Sequence, residues 1–366
     1  MWVNQRVSTL ELFFDLVFVF TITQLTTLLA VGLDARALVQ VLLMLGVIWW
    51  MYGGYAWVTN TVTLHNQLRR GLLITAMCGF QIIALAVPGA FGDDGLVFGL
   101  GYLVVTLVHT FLLAKGEGPG TRAAIARLGP LNLASALLVL TGGLLPVSPW
   151  RYIAWSAAFV LQVLTPYLRP GRIALAVRPE HFVERHGLVM IIALGESVVA
   201  IGVGAAGLDL GVPLIAAAVL GLILAYHLWW CYFGGDDTAA EHAMTAMTDP
   251  RHRSRVALHG YGYAHYPMLL GVVALAAGVK NAMHAPTAHA HLPAALALSG
   301  GVAVFLLGES WFRRILHIGR TRWRLLAAAA ALAAIPLGLY VSSLAQLAAL
   351  PVILAATFTA EARLSR

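Results

Sequence analysis

Seven ionisable side chains fall inside long apolar runs: Glu11, Asp15, Glu196 and Glu309, with His109, His227 and His265. A charge in the hydrocarbon layer of a bilayer costs about 2.5–3.5 kcal/mol on insertion scales, so each needs a partner, a hydrated cavity or a task. Carboxylates and imidazoles titrate in different pH ranges, so together they could relay protons or hold a cation. The same groups could instead pair with one another and lock helices together. Glu11 and Asp15 are four apart and share one helix face. Glu309, with Arg313 four residues later, has the spacing of a helix ion pair. Four tryptophans, Trp49, Trp50, Trp229 and Trp230, could offer π faces to a cationic intermediate or act as anchors at the membrane interface.

Other chemical motifs are scarce. The chain has no HExxH, no P-loop and no GxSxG with suitable partners; His259 and His265 are six apart, off the i, i+4 spacing by which one helix face holds a metal. His284, His289 and His291 read as a solvated loop, and Cys78 and Cys231 as packing residues in apolar runs. Neither a metal nor a cofactor is expected.

The elements that carry these residues must be membrane helices. Of 366 residues, 60% are hydrophobic and 11% charged, against roughly 25% charged in a soluble domain. A mean hydropathy of +0.82 agrees. The net charge of +7 does not point to nucleic acid, because so little soluble surface is available to carry it. Twelve stretches approach the ~20 residues needed to cross a bilayer: 8–31, 37–58, 71–90, 97–114, 131–146, 152–168, 187–206, 212–233, 260–279, 294–312, 324–342 and 344–360. Residues 325–350 are almost continuous Ala and Leu, so one kinked helix and two separate ones are both open there. No alternating barrel pattern appears.

Basic residues set the orientation. With the N-terminus inside, only Arg36, Arg151 and Lys280 of the 23 Lys and Arg fall outside. Twelve spans with both termini cytoplasmic are expected, with the first span left uncleaved because Glu11 and Asp15 interrupt it. All seven intramembrane ionisable groups then lie in the cytoplasmic half. The outer half of the first span holds only neutral polar groups: Thr21, Thr23, Gln24, Thr26 and Thr27.

The halves of the chain correspond. The segment WWMY at 49–52 recurs as WWCY at 229–232. Asp15 precedes its Trp pair by 34 residues and Glu196 its own by 33, while His65 and His242 follow by 16 and 13. Six spans separate the matching helices, so the expected fold is an all-α polytopic membrane protein of two parallel six-helix repeats. The repeats would occupy 1–169 and 187–366, joined by a cytoplasmic connector at 170–186, with Asp15 and Glu196 as symmetry mates.

Three segments resemble a known family. STLELFFDLVFVFTITQ at 8–24, HFVERHGL at 181–188 and IALGESVVAIG at 192–202 are similar to the signature segments of the bacterial low-temperature-requirement A (LtrA) membrane proteins. The resemblance extends to the Trp pairs, to Pro88–Phe91 and to the helix Tyr261–Lys280. It implies a multi-pass protein of the bacterial inner membrane and little about chemistry. A narrower likeness joins FFDLVFVFTIT at 13–23 to the first-helix FSD segment of two-repeat potassium channels, with Phe14 in place of the Ser; there, that helix lines the pore.

Three functions follow as expectations. A cation- or proton-linked channel or transporter would use Asp15 and Glu196 with the histidines as protonatable neighbours. An intramembrane enzyme would act on a lipid-like or prenyl substrate with an acid as proton donor. A stress-adaptation scaffold would conduct nothing. The partners are the bilayer and a small ion or small-molecule substrate, with no nucleic acid.

Overall fold

The computed structural model describes residues 7–61, 66–115, 119–168 and 177–364, with no side-chain description for 119–124. His65 and residues 170–176 of the expected connector lie outside the described residues. Among the described residues the regular structure is entirely helical. In order it comprises α1 (Thr9–Gly32), α2 (Ala35–Thr61), α3 (Gln67–Ala86), α4 (Gly95–Ala114), α5 (Pro119–Leu144), α6 (Pro149–Leu168) and α7 (Pro179–Ala205). There follow α8 (Val212–Phe233), α9 (Asp236–Ala246), α10 (Pro250–Ala257), α11 (His265–His284), α12 (Leu292–Leu316), α13 (Thr321–Ala333), α14 (Ile335–Tyr340) and α15 (Ser343–Leu364). Each expected span is helical. Eleven helical segments among the described residues are long and apolar enough to cross a membrane, and α6 is as long but less apolar. The protein is an all-α polytopic membrane protein. Large aliphatic side chains on outward faces, such as Leu16, Leu85 and Val219, are about half exposed, as lipid-facing positions must be.

Several boundaries differ from expectation. The seventh span is expected at 187–206, whereas α7 begins at Pro179, so residues 179–186 are already helical. Proline at the first helical position favours this start, because its missing N–H is one the helix would leave unpaired anyway. Helix α5 begins at Pro119 and runs through Pro130. The Ala/Leu tract resolves into separate helices: α14 ends at Tyr340 and α15 begins at Ser343, where the Ser342 hydroxyl accepts the Ala345 N–H at 3.1 Å. Ahead of α11, the segment Leu258–Tyr263 widens into a π turn, with Ala264 N–H donating to the His259 carbonyl five residues back at 3.0 Å.

The chain divides into two compact units. The first comprises Met1–Leu25, Val39–Leu188 and Met244–Leu258; the second comprises Thr26–Leu38, Val189–Ala243 and His259–Arg366. Within the first, Arg151, one of the basic residues expected on the outer side, is buried. Its buried guanidinium donates to the carbonyls of Gly142, Gly143 and Leu145 at the end of α5 and to those of Ala90 and Gly92. Helix ends leave carbonyls unpaired and negative in potential, so a cation there satisfies both demands.

Within the second unit, α11 and α12 approach backbone to backbone. Gly271 and Gly278 on one helix and Gly301 and Gly308 on the other are each seven residues apart, on one face every two turns. A methyl group at Gly301 would lie 2.5 Å from the Leu275 nitrogen and 2.8 Å from the Gly271 carbonyl, whereas Gly300 next to it has nothing within 4 Å. Small residues permit such contact in lipid, where dispersion and not water exclusion drives association. Gly301→Ala is therefore expected to lower stability by about 1–3 kcal/mol through overpacking. Gly300→Ala should leave the melting temperature in detergent unchanged or slightly raised; equal melting of both variants would contradict the close packing.

Candidate functional site

The site in the first unit is built on two helix starts. Ser8 precedes α1 and Glu11 follows three residues later, a capping box. The Ser8 N–H and hydroxyl donate to Glu11 Oε2 at 2.9 and 2.8 Å, and the Glu11 N–H donates back to the hydroxyl at 3.3 Å. Helix α7 enters against the end of α2. The Arg178 N–H donates to Asn60 Oδ1 at 2.9 Å, and its guanidinium donates to the carbonyls of Asn60 and Thr59. These bonds also assign a proton. Because Oδ1 of Asn60 accepts, its Nδ2 must face His181 Nδ1 at 3.3 Å as donor. The neutral His181 ring then carries its hydrogen on Nε2, which lies 3.3 Å from Glu11 Oε1.

One helical turn beyond His181, Arg185 is fully buried. Its Nη1 donates to Glu11 Oε1 at 2.8 Å and to Thr59 Oγ1 at 2.7 Å, and its Nη2 donates to Asp15 Oδ1 at 3.1 Å. Two i, i+4 pairs, Glu11 with Asp15 and His181 with Arg185, thus meet from α1 and α7. The guanidinium also lies 5.5 Å from the centre of the Phe14 ring and 5.8 Å from that of Tyr52, within cation–π range. Tyr52 donates to Asp15 Oδ1 at 2.9 Å. Trp49 is buried and stacks on Tyr52 with ring centres 5.2 Å apart.

The two carboxylates are not in the same condition. Both oxygens of Glu11 are occupied. Asp15 is 0% exposed, its Oδ1 takes both donors, and its Oδ2 has none. The two carboxylates share one guanidinium, and His181 reaches Glu11 alone. Further along α1, the hydroxyls of Thr21 and Thr26 are buried and likewise without a hydrogen-bond partner.

The second unit contains a larger cluster. Glu309, fully buried on α12, has Oε1 2.6 Å from Arg313 Nε and Oε2 3.0 Å from Arg324 Nε. The expected i, i+4 pair is present, but it is one edge of a network. Asp236 engages Arg313 at 2.5 and 3.0 Å, and Glu361 receives 2.7 Å bonds from both Arg313 and Arg324. Four helices, α9, α12, α13 and α15, are tied in this way.

The remaining expected site residues are dispersed. His265 is buried; its Nδ1 donates to the Gly260 carbonyl at 2.9 Å, so Nε2 of the neutral ring accepts from Tyr232 at 2.8 Å. In each Trp-Trp-x-Tyr segment the tyrosine hydroxyl therefore meets a titratable group on another helix, Asp15 in one and His265 in the other. His109 is buried with its Nδ1 unpartnered, its ring 5.5 Å from that of Tyr55. His227 is half-buried and bonds within its own helix to the Ile223 carbonyl at 2.7 Å. Glu196 is buried on α7, three turns beyond Arg185. Trp230 is 48% exposed and Trp229 stacks on Phe233 and Tyr226, whereas Trp49 is buried. Among the described residues, no three His, Cys, Asp or Glu side chains gather as a metal site.

Sequence reasoning missed Arg185, His181, Thr59 and Arg324. The first two sit in the expected connector, and the signal available was their i, i+4 spacing inside HFVERHGL, which matches that of Glu11 and Asp15.

Comparison with known proteins follows from this geometry. The family model described as bacterial low temperature requirement A protein (LtrA) matches residues 6–359. A protein of Rhizobium meliloti (strain 1021), described as uncharacterized, is 29% identical over 320 residues, which is 83% of this chain and 76% of that relative.

Removing Arg185 leaves two buried carboxylates facing each other. Arg185→Gln is expected to destabilise the folded protein by about 3–5 kcal/mol. Arg185→Lys should recover little, since a point charge cannot bridge two carboxylates and Thr59 as the planar fork does. Adding Asp15→Asn to Arg185→Gln should restore part of the loss. Thermal unfolding in detergent measures all three, and a silent Arg185→Gln would refute the bridging role.

Proposed function

The chain belongs to the bacterial low-temperature-requirement A family, and from that premise we propose that it is a cation- or proton-linked channel or transporter of the bacterial inner membrane. In this reading Asp15 is the group that gains and loses the transported charge. The observation that carries it is the unpartnered Oδ2 of a fully buried aspartate whose one guanidinium is shared with Glu11. A carboxylate oxygen in a low-dielectric interior without a donor is costly, and a proton or a small cation relieves that cost.

Two features support the assignment. Glu11 is saturated by Ser8, His181 and Arg185, which makes it the fixed counter-ion that positions Arg185, leaving Asp15 as the variable group. The partnerless hydroxyl of Thr21 lies roughly 9 Å beyond Asp15 along α1, offering an oxygen atom to an ion or a water chain. Glu196 receives the same role in the second repeat on its sequence spacing, with His109 and His265 as protonatable neighbours. Both termini are assigned to the cytoplasm from the distribution of basic residues.

The scaffold reading has one observation in its favour: Glu309 is held by two arginines and its cluster ties four helices, as a structural clamp does. We therefore assign Glu309 to the framework and not to the path.

Reconstituted liposomes loaded with a pH dye, under an imposed potassium or sodium gradient, test the proposal. The parent protein is expected to move protons or cations, and Asp15→Asn, which keeps the size and removes the titratable charge, should cut the flux at least tenfold. Unchanged flux in a folded Asp15→Asn variant would remove Asp15 from the path.

A further inference from the structure

The second unit has a feature that the transport reading does not use. Between the end of α12 and the start of α13 lies an open hollow of about 620 Å³ lined by Arg313, Arg314, His317, Gly319, Arg320, Thr321 and Arg322. Among the described residues, no carboxylate lines it. Three acids of the unit, Asp236, Glu309 and Glu361, are engaged by Arg313 and Arg324. Arg314, His317, Arg320 and Arg322 remain exposed at the rim.

The backbone shapes the same hollow. His317 and Gly319 adopt left-handed conformations with φ of 55° and 59°, turning the chain within four residues from one apolar helix to the next. Helix α13 then starts at the hollow with no side-chain cap and no acid in its first turn, so its leading N–H groups add to the positive field. Depth identifies the occupant. Both helices belong to membrane-spanning segments, so a four-residue turn between them must lie at headgroup level. Trp311 and Trp323 flank it, Trp311 44% exposed and Trp323 under Arg322 at 5.5 Å, in the aromatic belt position.

We propose that this hollow binds the phosphate of an anionic phospholipid headgroup, with Arg314 and Arg322 as the principal contacts and Arg320 and the start of α13 completing the site. Arg313 is committed to Asp236 and Glu361 and serves to position the turn. A basic recess between membrane helices on the side richer in Lys and Arg is the chemistry by which such headgroups are recognised.

Native mass spectrometry of the full chain, titrated with phosphatidylglycerol against phosphatidylcholine, tests the site. The parent is expected to retain phosphatidylglycerol selectively, and Arg314→Gln with Arg322→Gln should weaken that retention about thirtyfold. Exposed positions should not disturb folding; if the pair does, Arg322→Gln alone should show about half the effect on a logarithmic scale. A control pair on α10, Arg251→Gln with Arg255→Gln, should change nothing. Equal loss in the control pair would show bulk surface charge and overturn the site. Displacement of the lipid by inorganic phosphate at comparable concentration would overturn the lipid assignment in favour of a free anion.

Discussion

A guanidinium buried where water cannot reach it governs the first unit. Arg185 would be prohibitively costly in an apolar interior alone, and so would Glu11 and Asp15; each is tolerable because the other two are there. That mutual dependence dictates geometry. The capping box holds Glu11, Arg178 and Asn60 seat the start of α7, and His181 is oriented to give its hydrogen to Glu11. Each of these bonds serves to present one positive fork to two negative groups. The unpartnered oxygen of Asp15 is then not a flaw in packing but the feature that distinguishes it from Glu11.

The same physics reaches a different end in the second unit. There, Glu309 lies between two arginines, and Asp236 and Glu361 complete the bonding of those arginines. Charge is spread over several helices, and each partner restrains the next, so the entropy lost in ordering one side chain serves several contacts. A cluster of this kind resists change, which suits a clamp. The arrangement at Asp15, with one oxygen unspent, is less constrained and suits a group that exchanges a proton or an ion. At the surface, the hollow between α12 and α13 is lined, among the described residues, by basic and neutral side chains, while Asp236, Glu309 and Glu361 are engaged by Arg313 and Arg324.

Much of this was legible in the residues. Hydropathy located all eleven helical segments apolar enough to cross a membrane, because membrane residence is a property of about twenty consecutive residues. Charge inside those spans identified the unusual positions, and Glu309 with Arg313 was readable because i, i+4 pairs are local. Arg185 was not readable from hydropathy, since it lies at the charged end of its helix and looks like one more basic residue of a cytoplasmic connector. Only the early start of α7 at Pro179 brings it within reach of α1. In each Trp-Trp-x-Tyr segment the tyrosine hydroxyl bonds a titratable group, Tyr52 with Asp15 and Tyr232 with His265, two partners that are not equivalent residues. Trp49 is enclosed while Trp230 faces outward, a distinction that rests on neighbours and not on sequence.

The amino-acid sequence by itself determined that this is a helical membrane protein, where its helices run, and which few acids the bilayer should have excluded, because each of those properties depends on a short stretch of chain and its solvent. The tertiary structure alone decided which charges meet. Glu11 and Arg185 are 174 residues apart, and no local rule links them; their pairing arises because two helix starts must satisfy their exposed backbone and buried charges at the same place, and a single arginine has the geometry to do so.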